Sequence, residues 1–144
     1  MQEISFASVS PIDGGRAILV IGGEDAQHSV TWTTQIVRPG SKTKQGPDMR
    51  MSVGGPCSTE LLGERIFITG GGRRTQPGGS DVAEILHLQS GEWQDVGRLN
   101  NARMYHTCTS VWVNQHGTAG DIFNKGVVTN TSVLSVAVAG GNHF

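Results

Sequence analysis

A chain of 144 residues has the length of one ordinary domain. Its 11 Lys and Arg face 12 Asp and Glu, so a net charge of −1 removes any global electrostatic argument for nucleic acid or an anionic membrane as partner. Glycine is the outlier, at 21 residues, but with 5 Pro and 36% apolar residues the chain stays clear of the low-complexity range and can bury a core.

The chain begins Met1-Gln2-Glu3-Ile4, without the basic and apolar regions of a signal peptide. No apolar run reaches the ~18 residues of a membrane span. The expectation is a cytoplasmic protein without membrane or nucleic-acid contact.

The first elements set a pattern that returns. Ala7–Ser10 reads as a short strand and Pro11–Gly15 as a turn. The apolar run Ala17–Ile21 then ends in Gly22-Gly23. A third strand is expected over Ser29–Val37, a turn at Arg38–Ser41, and a fourth strand over Lys42–Gln45. A link through Gly46–Arg50 closes this first copy, residues 1–50.

The second copy, residues 51–101, is complete. Cys57–Leu62 and the turn Gly63-Glu64 precede the run Arg65–Thr69, which ends in Gly70-Gly71. Val82–Leu88 makes a third strand, and Glu92-Trp93-Gln94-Asp95-Val96 a fourth. Gly97–Arg103 crosses to the next copy. Asp81–Leu86 also carries a helical capping box, but the bounding Gly79 and Gly91 and the repeat register favour a strand.

The third copy, residues 102–144, holds Cys108–Val113 and the run Ser135–Ala139, ending in Gly140-Gly141. An insertion, about 115–132, separates its two strands, and it reads first as a disordered or wrongly joined segment and second as a partner-binding loop. The first two Gly pairs lie 48 residues apart, the spacing of a four-stranded propeller blade.

Ala7, Cys57 and Cys108 fall at matching places in the three copies. Small residues recurring there point to packing, with the two thiols unbridged. Trp32 and Trp112 lie in strand-like stretches and read as packing residues.

The order apolar run, Gly-Gly, loop, strand, turn, Trp93, Leu99, Ala102-Arg103, then His106 resembles the Kelch repeat, most closely over Arg65–His106. The tyrosine often found in the third strand of that repeat is absent, and Leu86-His87-Leu88 stands in its region. The resemblance implies an all-β, incomplete Kelch-type propeller of about two and a half four-stranded antiparallel blades. Its structural motif falls on Gly22, Gly23, Gly70, Gly71, Trp93, Arg103, His106, Gly140 and Gly141. Arg103 would bond carbonyls between sheets, and His106 would bond backbone at a strand start.

Such segments imply a non-catalytic protein-binding scaffold, as in ubiquitin-ligase adaptors or cytoskeletal proteins. Arg16, Arg73 and Arg74 are the candidate partner contacts.

Catalytic signatures are missing. The five His are scattered, no glycine loop leads into a helix, and Glu24-Asp25 reads as a solvated turn. No cofactor or metal is expected. Arg103-Met104-Tyr105-His106-Thr107 also resembles a copper-ligand segment of galactose oxidase-like radical enzymes, whose catalytic domain is a Kelch-type propeller. A fragment of such an oxidase is the alternative reading. In that family the site also needs a second histidine and a second tyrosine cross-linked to cysteine, and this chain has one tyrosine.

Overall fold

Alternation of apolar and polar residues, broken by glycine turns, gives strands that hide one face and pair through short reversals. The computed structural model describes residues 5–51, 53–62, 64–72, 79–113 and 133–139, the stretches 111–113 and 133–139 by backbone pairing alone. They form an all-β structure whose helical content is one 3-10 turn, Asp13–Gly15. Sheet 1 runs in the order β1 (Ser8–Ile12), β2 (Ala17–Ile21), β3 (Thr34–Val37), β4 (Lys44–Gln45). Sheet 2 repeats it with β5 (Cys57–Leu61), β6 (Arg65–Thr69), β7 (Ser80–His87) and β8 (Glu92–Arg103). A hairpin of β9 (Thr107–Val113) and β10 (Val133–Ala139) follows. Every pairing is antiparallel.

The first strands stand side by side, β1 against β5 and β5 against β9. One core fills the space between sheets 1 and 2. Ile12, Ala17, Leu19 and Ile21 meet Ile66, Ile68 and Leu86, with Met49 and Val53 from the link between them. Leu19, Ile21, Ile66 and Leu86 are fully buried, each worth roughly 1.5–3 kcal/mol of apolar transfer.

Asp81–Leu86 lies within a strand, because Val82, Glu84 and Leu86 pair across to β8 while Leu86 faces the core. β8 continues past the expected end at Val96 as far as Arg103. Two irregularities absorb the extra length: Val96 is inserted between the Ala83–Gly97 and Glu84–Asp95 pairs, and residues 99–102 stand opposite Asp81 alone. At the first, Gly97 takes φ +135°, and the Asp95 carboxylate accepts the N–H of Gly97 and the guanidinium of Arg98. β3 is shorter than expected. Residues 29–33 instead bond the Gly pair and the link, Gly22 N–H to Thr33 O and Thr31 N–H to Gly23 O. Trp32 is consequently exposed, which corrects its reading as a packing residue.

The cysteines are also corrected: Cys57 and Cys108 form a disulfide. Pairing shows why sequence matching misplaced them. Cys57 faces Thr69, one residue before Gly70, and Ser8 faces Ile21, one before Gly22. In the third copy the residue one before Gly140 is Ala139, and its partner is Thr107. The true counterparts are Ser8, Cys57 and Thr107, so Cys108 sits one place further along. A one-residue step in a strand reverses the face of the side chain. Cys57 therefore looks out from sheet 2 toward the hairpin, and Cys108 looks back.

Candidate functional site

The first two Gly pairs act where one copy meets the next. Gly22 and Gly70 take φ +62° and +66°. A β-carbon on Gly22 would stand 2.5 Å from the Val53 carbonyl oxygen, and one on Gly70 would stand 2.6 Å from that of Arg103. No side chain fits such an approach. The second glycine of each pair completes the contact: Gly23 donates to Val53 O at 2.9 Å, and Gly71 donates to Arg103 O at 2.8 Å.

A second joint repeats beside it. Phe6, Gly55 and Tyr105, each two residues before its first strand, all take φ between +54° and +62°. Gly55 donates its N–H to Phe6 O at 2.8 Å, and Tyr105 donates to Gly55 O at 2.9 Å. Adjacent copies are thus bonded head to tail through one corner. The absent side chain of Gly55 makes room for the Tyr105 ring, which meets Phe6 edge-on with centroids 5.4 Å apart. Phe6 is 56% exposed and Tyr105 47%, so the corner presents an aromatic pair to solvent.

His106 turns the other way. Its ring lies against Gly70, buried, in space a β-carbon there would fill. Neither ring nitrogen has a hydrogen-bond partner, which corrects the expected backbone bond. Burial, and then the charge of Arg103, hold the imidazole below its ordinary pKa, so it is neutral at pH 7. Trp93 is half-buried against the core, and its indole N–H is also unpartnered.

Along the first strands runs an open cleft of about 620 Å³, lined by the hydroxyls of Ser10, Ser58, Thr59 and Ser110, by Glu60 and Glu64, and by apolar Val9 and Leu62. The Ser58 hydroxyl lies 2.7 Å from those of both Ser8 and Ser10, and Ser110 N–H donates to the Thr59 hydroxyl.

Of the candidate contact arginines, Arg16 stands at the far end of β2 from the Gly pair. It binds the Asp13 carboxylate, which also meets Arg38. Hydrogen bonding from Arg16 is the largest of the effects that hold that carboxyl below its usual range. Arg73, Arg74, Gly140, Gly141 and the whole 115–132 insertion lie outside the described residues. Gly72, which precedes Arg73, bridges Gly54 at the Gly-pair end, so Arg16 and the start of that loop are at opposite ends of the strands.

Glu24 corrects another expectation. It is buried, paired in isolated bridges with Ser5 and Val30, its carboxylate 3.6 Å from His28. Asp25 does cap the turn, accepting the N–H groups of Gln27 and Ser29. Sequence reasoning missed the aromatic corner. Only Gly55 advertises a positive φ there, while Phe6 and Tyr105 are ordinary residues held in that conformation by the joint.

Among the described residues no group of three or more His, Cys, Asp or Glu could hold a metal ion, and no helix is long and apolar enough to cross a membrane. No protein-family profile matches the sequence, and no curated protein sequence does. Among solved structures, the fold is similar to a fungal alcohol oxidase of the AA5 family in complex with copper. The TM-score is 0.62 at 12% identity, over 74% of this chain and 25% of that one. This chain therefore spans about a quarter of that structure, and the likeness is one of fold.

Proposed function

We propose that this chain is a segment of a Kelch-type β-propeller that serves as a non-catalytic protein-interaction scaffold. The observation that carries the propeller reading is the repeated joint: Phe6, Gly55 and Tyr105 bond in series, and the pairs at Gly22 and Gly70 bond the matching carbonyls of Val53 and Arg103. Identical joints stack sheets at a constant step, which is how blades are arranged about an axis. The aromatic pair at that joint supports the binding reading, since exposed aromatic rings anchor protein interfaces.

The copper-oxidase alternative finds little in these residues. Tyr105 and His106 are neighbours whose side chains go to solvent and to the Gly70 contact respectively. Both cysteines are bonded to each other, leaving no thiol for a cross-linked tyrosine. Among the described residues, this arrangement supports the scaffold reading over a copper-radical centre.

In place of the cytoplasmic expectation, the disulfide supports an oxidising compartment. Affinity capture on the longer protein, with metal analysis of the same sample, tests the scaffold reading. The expected result is a defined partner whose capture is lost in Tyr105→Ala with the β-sheet circular-dichroism signal retained. Stoichiometric copper accompanied by alcohol oxidation overturns it.

A further inference from the structure

We infer that Cys57–Cys108 is a redox latch that fastens the β9–β10 hairpin to sheet 2, opened by thiol attack on Cys108. This rests on the inter-sheet register and not on the scaffold reading. The register gives each pair of neighbouring first strands one facing position. Between sheets 1 and 2 it is filled by Ser8 and Ser58, whose hydroxyls lie 2.7 Å apart. Between sheet 2 and the hairpin the same position holds Cys57 and Cys108. At that position sheets 1 and 2 are joined by hydroxyl hydrogen bonds, Ser58 meeting both Ser8 and Ser10. Its counterpart is closed by a covalent bond that only redox chemistry opens.

The two cysteines are unequally exposed. Cys57 is buried at 7% exposure, while Cys108 is half-buried. An incoming thiolate reaches the Cys108 sulfur first, forming a mixed disulfide there and releasing the Cys57 thiolate, which takes a proton. A second thiol then displaces Cys108. The latch gains two electrons and two protons, and two thiols of the reductant become one disulfide. Closure is the reverse, with a glutathione-type disulfide as oxidant.

Once the bridge is open, hydrogen bonds such as Tyr105 N–H to Gly55 O and Ser110 N–H to the Thr59 hydroxyl still span this junction. The hairpin loosens while sheets 1 and 2 keep their shared core.

The 144-residue chain, purified without reductant, should show no alkylatable thiol, and two after dithiothreitol. Hydrogen exchange on the reduced chain should show lost protection in Thr107–Val113 and Val133–Ala139, with Ser8–Ile21 and Arg65–Thr69 unchanged. Free thiols in the untreated protein, unaltered exchange on reduction, or loss of protection throughout each overturns the latch. Cys57→Ser should take up one glutathione from glutathione disulfide faster than Cys108→Ser does, and the opposite order overturns attack at Cys108. In a glutathione buffer poised like the endoplasmic reticulum the bridge should stay closed. A mostly reduced chain in that buffer overturns its assignment to an oxidising compartment.

Discussion

Gly70 shows how much one missing side chain decides. Its φ of +66° disfavours any L-residue, and its neighbours on the next copy, Arg103 O and the His106 ring, occupy the volume a methyl would need. Gly70→Ala should lower stability by about 2 kcal/mol or more, since strain and overlap act together. Gly40 has a similar φ of +70° but open space around it, so Gly40→Ala should lose only about 1 kcal/mol. Urea midpoints of the two variants separate conformational strain from the inter-sheet approach.

His106 carries a pH dependence at the same spot. Its pKa is lowered in the folded chain, so the unfolded chain binds a proton first as pH falls through the ordinary value of 6.5. Its neutral form lets the fold keep full stability above that value, and stability declines as pH drops below it. The urea midpoint should be lower at pH 5.5 than at pH 7.5, and His106→Gln should flatten the difference. Asp13 and Asp95, with lowered carboxyl values, act only near and below 3.8. Glu84, raised chiefly by burial, acts with the opposite sign, and the His106→Gln comparison subtracts it.

At the scale of elements, the informative unit is the facing pair on neighbouring first strands. Because Ser8 and Ser58 occupy the place of the bridged cysteines, the double variant Ser8→Cys/Ser58→Cys should oxidise in air to a second disulfide. Closing a loop of about 50 residues should raise stability by as much as about 4 kcal/mol on chain entropy alone. Thiol titration and thermal melting check this, and a variant with two persistent free thiols would contradict the register assignment. The short β3 and the long β8 show the limits of strand reading. Both ends are set by tertiary bonds, β3 by the Gly pair drawing residues 29–33 away and β8 by the bonding of Ser80 and Gly71 to Arg103. Periodicity alone carries no sign of either.

At the scale of the molecule, no sheet among the described residues lies against one face of sheet 1. Ile18 there is 39% exposed, whereas its repeat counterpart Ile66 is fully buried between the sheets. Val9 is exposed beside it. A stacking architecture covers that face with another sheet of the same kind. Ile18→Thr should reduce self-association in sedimentation velocity with little change in stability. Ile66→Thr should destabilise by about 2 kcal/mol or more, because it places a hydroxyl in the shared core.

Much of this was legible in the residues. Apolar runs ending in paired glycines marked β2, β6 and β10, because a strand needs alternation and a turn needs a permissive backbone, and both are local demands. Trp93 against the core was legible for the same reason. The Cys57–Cys108 bridge, the burial of Glu24 and the solvent-facing pair of Phe6 and Tyr105 were decided only in three dimensions. Each depends on which face of one strand meets which face of another, and a single residue of register reverses that outcome while leaving the local pattern unchanged.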